Sequence, residues 1–194
     1  MVLVAGTRDH TERLRGVVKQ VLAPMGLRLS EAKTGVVHID EGLDFLGFRI
    51  QRQTREGTNR AYVHTFPAKK ALASIMRKVK TITRQGTNNA LSDRLRQCNA
   101  VLRGWTNYFR HGVSSDTFGY LRHYTWWRVV RWLRRKHRRT GWKKLRARFL
   151  HHDGKTWVTG GAVELVDPMK VAVTRYRYRG DIPTPWTRET ADAA

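Results

Sequence analysis

Apolar residues recur with helical spacing along most of the chain. Over 9–23, Leu14, Val17, Val18, Val21 and Leu22 fall at i, i+3, i+4, i+7 and i+8, the stripe of an amphipathic helix. Thr7 or Asp9 can cap its start, and Pro24 with Gly26 can end it. Over 68–84, behind Pro67 as a first helical residue, Leu72, Ile75, Met76, Val79 and Ile82 share one stripe. Over 89–110, Leu91, Leu95, Cys98, Leu102, Trp105 and Phe109 alternate steps of four and three, with Asn88 or Asn89 as the cap and Gly112 as the stop. A further helix is expected over 117–139 behind Ser115 or Asp116, and a short one over 141–150. Three amphipathic helices with short connections predict a bundle.

Strand-like runs lie on either side of that bundle. Residues 2–5, 27–29, 36–39 and 45–51 are short apolar runs, the last two separated by the acidic turn Asp40-Glu41-Gly42. After Phe149 the texture changes: Gly154, Gly160, Gly161 and Pro168 break the chain around short runs at 157–159, 162–166 and 171–178. The fold class expected is therefore α+β. It comprises a partial α+β unit over 1–62, a helical bundle over 66–150 and a short β-rich basic tail over 151–194, with a frayed end at 189–194.

Charge changes the picture more than pattern does. The chain of 194 residues has 38 Lys and Arg against 15 Asp and Glu, a net charge of +23, and a sequence pI near 11.3. Such a balance points to a polyanionic partner, nucleic acid first and an anionic membrane surface second. Nothing is apolar for eighteen residues, so no segment is expected to span a bilayer, and MVLVAGTRDH lacks the basic start and long apolar core of a secretory signal. Cys98 is the sole cysteine, which excludes an intrachain disulfide and a cysteine zinc site and fits a cytoplasmic protein.

The charge is concentrated. From Arg94 to His152 there are sixteen Lys or Arg and one acid, Asp116. At its centre, residues 126–139 read WWRVVRWLRRKHRR, seven cations and three tryptophans in fourteen positions. Arg128, Arg131, Arg135 and Arg138 are spaced to share one helix face, and Trp126, Val129, Val130 and Leu133 to share another. Ordinary surface helices mix signs, because like charges one turn apart repel. An external anion is the expected counter-charge, and arginine suits phosphate because its planar fork donates bidentately. The candidate RNA-binding residues are Arg128, Arg131, Arg134, Arg135, Lys136, Arg138 and Arg139, then Lys143, Lys144, Arg146 and Arg148. The alternating Arg175, Arg177 and Arg179 complete the set. Trp105, Trp126 and Trp132 are expected in the core, with Tyr108, Trp127 and Trp142 exposed and able to stack on bases.

Catalytic signals are sparse. The adjacent His151 and His152 with Asp153 do not make a complete metal site, and Asp40, Glu41 and Asp44 read as a solvated turn before they read as a Mg²⁺ site. No phosphate-binding glycine loop, serine-nucleophile elbow or HExxH occurs.

Two stretches resemble the reverse transcriptases encoded by bacterial group II introns. Residues 26–51, above all Leu29-Ser30-Glu31-Ala32-Lys33-Thr34 and Phe45-Leu46-Gly47-Phe48, resemble the end of their palm domain. LRGWTNYFRHG at 102–112, with the WWRVVRWLRRKH run, resembles their maturase-specific region, domain X. The resemblance implies a partial palm end (1–62), then a thumb and domain X bundle (66–150). It places Arg103, Gly104, Trp105, Tyr108 and Phe109 on the family pattern RGW-x-NYF, with Gly104 expected to allow close helix contact and Trp105 to pack the core. It implies group II intron RNA as partner, with a DNA target or RNA/DNA duplex beside it, and an RNA-binding role in splicing, the chemistry being the RNA's own. The paired aspartates of the family's polymerase motif are absent, and no Asp-Asp pair occurs anywhere. The likeness therefore implies a C-terminal fragment that does not polymerise by itself and holds no cofactor. Mg²⁺ would enter only with the missing palm half. The alternative is one part of an RNA-directed DNA polymerase whose catalytic half lies upstream or on another chain.

Overall fold

The computed structural model describes residues 6–54, 57, 61–152 and 156–174. Helix α1 (Arg8–Leu22) starts at Thr7, whose hydroxyl accepts from the His10 N–H at 3.4 Å, and passes into a 3₁₀ turn (Ala23–Met25) that Gly26 ends in the left-handed region. The predicted stripe exists, but among the described residues it covers no core: α1 has no buried residue, and Val17, Val18 and Val21 are 52, 42 and 61% exposed.

The strand expectations beyond it need correction. Residues 27–29 and 36–39 form no ladder. The run 45–51 is a hairpin, not one strand: β1 (Leu43–Phe45) and β2 (Phe48–Thr54) pair antiparallel around Leu46-Gly47. Both turn residues have positive φ (48° and 81°), as a two-residue type I′ turn requires. β2 also pairs with β3 (Ala61–Pro67), a strand the sequence reading passed over, giving the order β1-β2-β3. The expected boundary near residue 62 falls inside β3, and Pro67 ends that strand instead of opening a helix. The run 2–5 lies outside the described residues.

The bundle is α2 (Lys69–Arg84), α3 (Leu91–Phe109) and α4 (Ser115–Lys136), followed by the short α5 (Trp142–Phe149). Unlike the Thr7 cap of α1, the side-chain caps expected for α3 and α4 do not form: α3 starts at Ala90 and α4 at Ser114, as α2 does at Ala68. The Ser114 hydroxyl instead donates to Phe109 O at 2.6 Å, tying the end of α3 to the start of α4. Ile75 and Val79 of α2, Leu95, Cys98 and Leu102 of α3, and Leu121, Val129, Val130, Trp132 and Leu133 of α4 are buried together. Each fully buried apolar side chain of this kind is worth about 1.5–3 kcal/mol, so this seam is the main apolar stabilisation of the fold.

A second antiparallel sheet, β4 (Leu150–His152), β5 (Thr156–Gly160) and β6 (Val163–Glu164), closes one side of the bundle. Leu150, Val158 and Leu165 enter the same core. Asn99, buried on α3, acts as a backbone surrogate: its amide donates to Glu164 O (2.7 Å) and its oxygen accepts from Val166 N (2.8 Å). The strand expected over 171–178 is not formed at 171–174, and 175–178 lies outside the described residues.

The first sheet is welded to the bundle at one corner. Ala68 N donates to Gly47 O (2.8 Å), Val113 N to Thr65 O (2.7 Å) and the Tyr108 hydroxyl to Leu46 O (2.8 Å), while Phe48 packs on Phe109 at 4.8 Å. Gly112 sits in this joint, where an added Cβ would lie 2.8 Å from Thr65 O and 3.0 Å from the Phe48 ring. At Gly104, in the middle of α3, an added Cβ would meet nothing within 4 Å, so the close helix contact expected there is absent.

The two glycines therefore predict opposite signs. Gly104→Ala raises stability by about 0.5–1 kcal/mol through helix propensity, and Gly112→Ala lowers it by about 1–3 kcal/mol through overpacking, both read by urea unfolding. Burial pushes the Cys98 thiol up to about 11 against the opposing pull of Arg94. A thiol reagent at pH 8 is therefore expected to leave Cys98 unlabelled in the native protein and to label it fully in guanidinium chloride.

Candidate nucleic-acid interface

The cations of α4 divide into two sets, and their partners make the division. Arg128 points at the C-terminal end of α2: its Nε donates to Thr83 Oγ1 (3.1 Å) and its Nη2 to Lys80 O (3.3 Å). Arg135 donates to Thr83 O and Lys136 to Asn89 O. Thr83 O is among the last carbonyls of α2, which lack partners within the helix, so Arg135 serves as an intramolecular C-cap. A cation there also complements the negative end of the helix dipole. Burial, reinforced by the neighbouring Arg84, Arg131 and Arg135, holds the Arg128 guanidinium below its ordinary pKa, against the opposing pull of Tyr124. The single cationic face expected from spacing is thus corrected. Arg128, Arg135 and Lys136 brace α2 and the loop after it, Arg135 while itself exposed, whereas Arg131, Arg134 and Arg138 are exposed without such a bond among the described residues.

The exposed set continues past the helix. Arg139, Lys143, Lys144, Arg146 and Arg148 are exposed, and Arg148 lies over the Phe149 ring at 5.2 Å. A cleft of about 420 Å³ opens between the end of α4 and the start of α5, with Arg134, Arg135, Arg138, His137 and Trp142 in its wall. Among the described residues, no carboxylate lines it. Among the described residues, no ion pair involves any cation from Arg128 to Arg148. His137 lies below its ordinary pKa, first through burial and then through Arg148 and Lys136, so it adds no charge near neutral pH. Arg175, Arg177 and Arg179 lie outside the described residues.

The aromatic expectations fall as follows. Trp132 is fully buried and Trp105 and Trp126 pack against the core. Tyr108, Trp127 and Trp142 are 51, 42 and 43% exposed. The RGW-x-NYF residues do not form one exposed face. Arg103 is exposed, Trp105 stacks near Phe109 (4.4 Å) and Phe118 (6.0 Å), and Phe109 is buried in the joint with the hairpin that Tyr108 also bonds. Two exposed residues of α4, Tyr120 and His123, were missed. Counting by threes and fours from Trp127 would have found them. The exposed Lys70, Arg77 and Lys78 of α2 were also passed over.

The acidic turn is occupied by arginine. Asp40 accepts from Arg52 Nε and, at 2.8 Å, Nη2, and this pairing holds its carboxyl below the usual range. Asp44 pairs with Arg49 at 3.0 Å. Asp40 and Asp44 thus each have an arginine partner, and among the described residues no three potential ligands cluster for a metal. No described helix is long and apolar enough to cross a membrane.

Fold and surface together define a mixed α+β protein built on a helical bundle with an unneutralised cationic edge. Residues 72–150 match the family model for the group II intron, maturase-specific domain. The match runs from the first turn of α2 to the first residue of β4, so the cationic edge lies within it. It gives the chain a role related to group II intron maturases. No curated protein matches the chain.

The division of the arginines is testable by unfolding. Arg128→Ala and Arg135→Ala each lose about 1–2 kcal/mol, the worth of a charge-assisted hydrogen bond at a helix end. Arg131→Ala and Arg134→Ala stay within about 0.5 kcal/mol of wild type.

Proposed function

We propose that the chain binds structured group II intron RNA through Arg131, Arg134, Arg138 and Arg139 of the α4 end and Lys143, Lys144, Arg146 and Arg148 of α5, and so assists the folding that precedes splicing. The observation that carries this reading is that, among the described residues, these cations have no carboxylate partner, inside a segment that matches the maturase-specific domain. A surface of one sign held at solvent raises the local concentration of a polyanion and gains free energy when counter-ions leave the phosphates. The protein's part is positional: it clamps phosphates and contributes no group to bond breaking. The palm-end reading of residues 1–62, the thumb reading within 66–150, and a DNA target or RNA/DNA duplex as further ligand belong to the same proposal.

Binding is expected to weaken steeply with salt. If roughly six phosphates are engaged, affinity falls about a thousandfold between 50 and 200 mM salt. Arg131→Glu combined with Arg134→Glu flattens that slope while leaving the melting temperature in place. A filter-binding titration of an intron-derived RNA reads both. A flat response in the wild type would remove the proposal.

A further inference from the structure

The exposed face of α4 is two surfaces in series. Tyr120, His123, Trp127, Arg131 and Arg134 are all exposed, and their steps of three and four keep them on one stripe of α4, with Arg138 exposed in the turn just past its end. The N-terminal half of the stripe is aromatic and the C-terminal half is cationic. Tyr120 is 54% exposed and Trp127 42%. The Trp127 ring meets its neighbours edge-on, His123 at 6.1 Å and 66° and Trp126 at 5.0 Å and 89°, so they brace it without stacking parallel to it. From Tyr120 to Arg134 the helix rises about 21 Å.

We infer that this stripe recognises a junction in RNA, unpaired nucleotides stacking on Tyr120, His123 and Trp127 while the adjoining duplex lays its backbone along Arg131, Arg134 and Arg138. The inference rests on the RNA-binding reading above and adds to it which RNA feature is chosen. Single exposed aromatics are ordinary, but three on one stripe, continuous with three unpaired arginines, match a ligand that is part π-face and part phosphate. A-form duplex offers side chains little to read except backbone, whereas unpaired bases expose their faces to aromatic rings. An apolar protein partner would suit the aromatic half and leave the cationic half uncompensated, so charge complementarity favours the nucleic acid.

The test compares two labelled RNAs of equal length, a stem with an unpaired loop and a blunt duplex, by anisotropy with the full chain. The wild type is expected to prefer the stem-loop. Tyr120→Ala with Trp127→Ala should cost roughly tenfold or more on the stem-loop and leave the duplex unchanged. Tyr120→Phe with Trp127→Phe, which keeps two rings, should restore most of the loss. Arg131→Ala with Arg134→Ala should weaken both RNAs. Equal binding of both RNAs by wild type and the alanine pair, or equal loss on both, overturns the junction while leaving RNA binding standing. Failure of the wild type to bind either RNA overturns the parent reading and this one with it.

Discussion

The carbonyl end of α2 is the point on which the bundle depends. That end has oxygen atoms without helical partners, and the chain has no Asp or Glu between residues 68 and 92. Arg128 and Arg135 reach it from α4, and Lys136 takes Asn89 O in the next loop. Two helices and a loop are thereby held by cations bonded to neutral oxygens. Arg94 follows the same rule inside the core. It is buried, it donates to Gln85, Gln97 and Gly86 O, and it lies over the Trp132 ring at 5.7 Å, with no carboxylate involved. A helix dipole and amide oxygens compensate these charges in part and leave the protein's net positive charge intact.

That choice of partners has a consequence for the surface. Near its middle α4 is tied by a carboxylate, Arg122 pairing with Asp167 at 3.3 Å, but its C-terminal end is held by backbone oxygens. Among the described residues, the remaining arginines and lysines of that end therefore face solvent as one sign. The same helix thus fixes its own packing with one set of guanidinium groups and presents another set outward. The two sets are adjacent in sequence, Arg134 exposed and Arg135 a cap, so their roles differ by the direction each side chain leaves the helix axis.

Helix positions and the core were legible because a 3.6-residue period survives in the sequence: Leu91, Leu95, Cys98, Leu102 and the α4 residues Val129, Val130 and Leu133 were placed by spacing alone. The exposure of Trp127 and Trp142 followed from the same count. Where tertiary contacts replace local rules, the sequence misled. Asn88 and Asn89 are good capping residues, yet the start of α3 is set by Arg94 and Lys136 gripping the preceding loop. Gly104 suggested close packing that Gly112 supplies, because only the three-dimensional joint brings Thr65 O beside it. The hairpin hid in an apolar run, since its turn uses Leu46 at positive φ, a residue rarely found there. The apolar stripe on α1 looked like a core face and is open to solvent among the described residues.

The central claim is that RNA lies along the exposed face of α4 and onto α5, while the arginines under that face hold the fold. Ultraviolet crosslinking of a bound intron RNA, followed by mass-spectrometric mapping of the modified residues, tests it most directly. Crosslinks at Tyr120, Trp127 and Trp142, with none on the far side of the bundle, are the result expected. Crosslinks confined to the α2 surface around Lys70, Arg77 and Lys78 would contradict it.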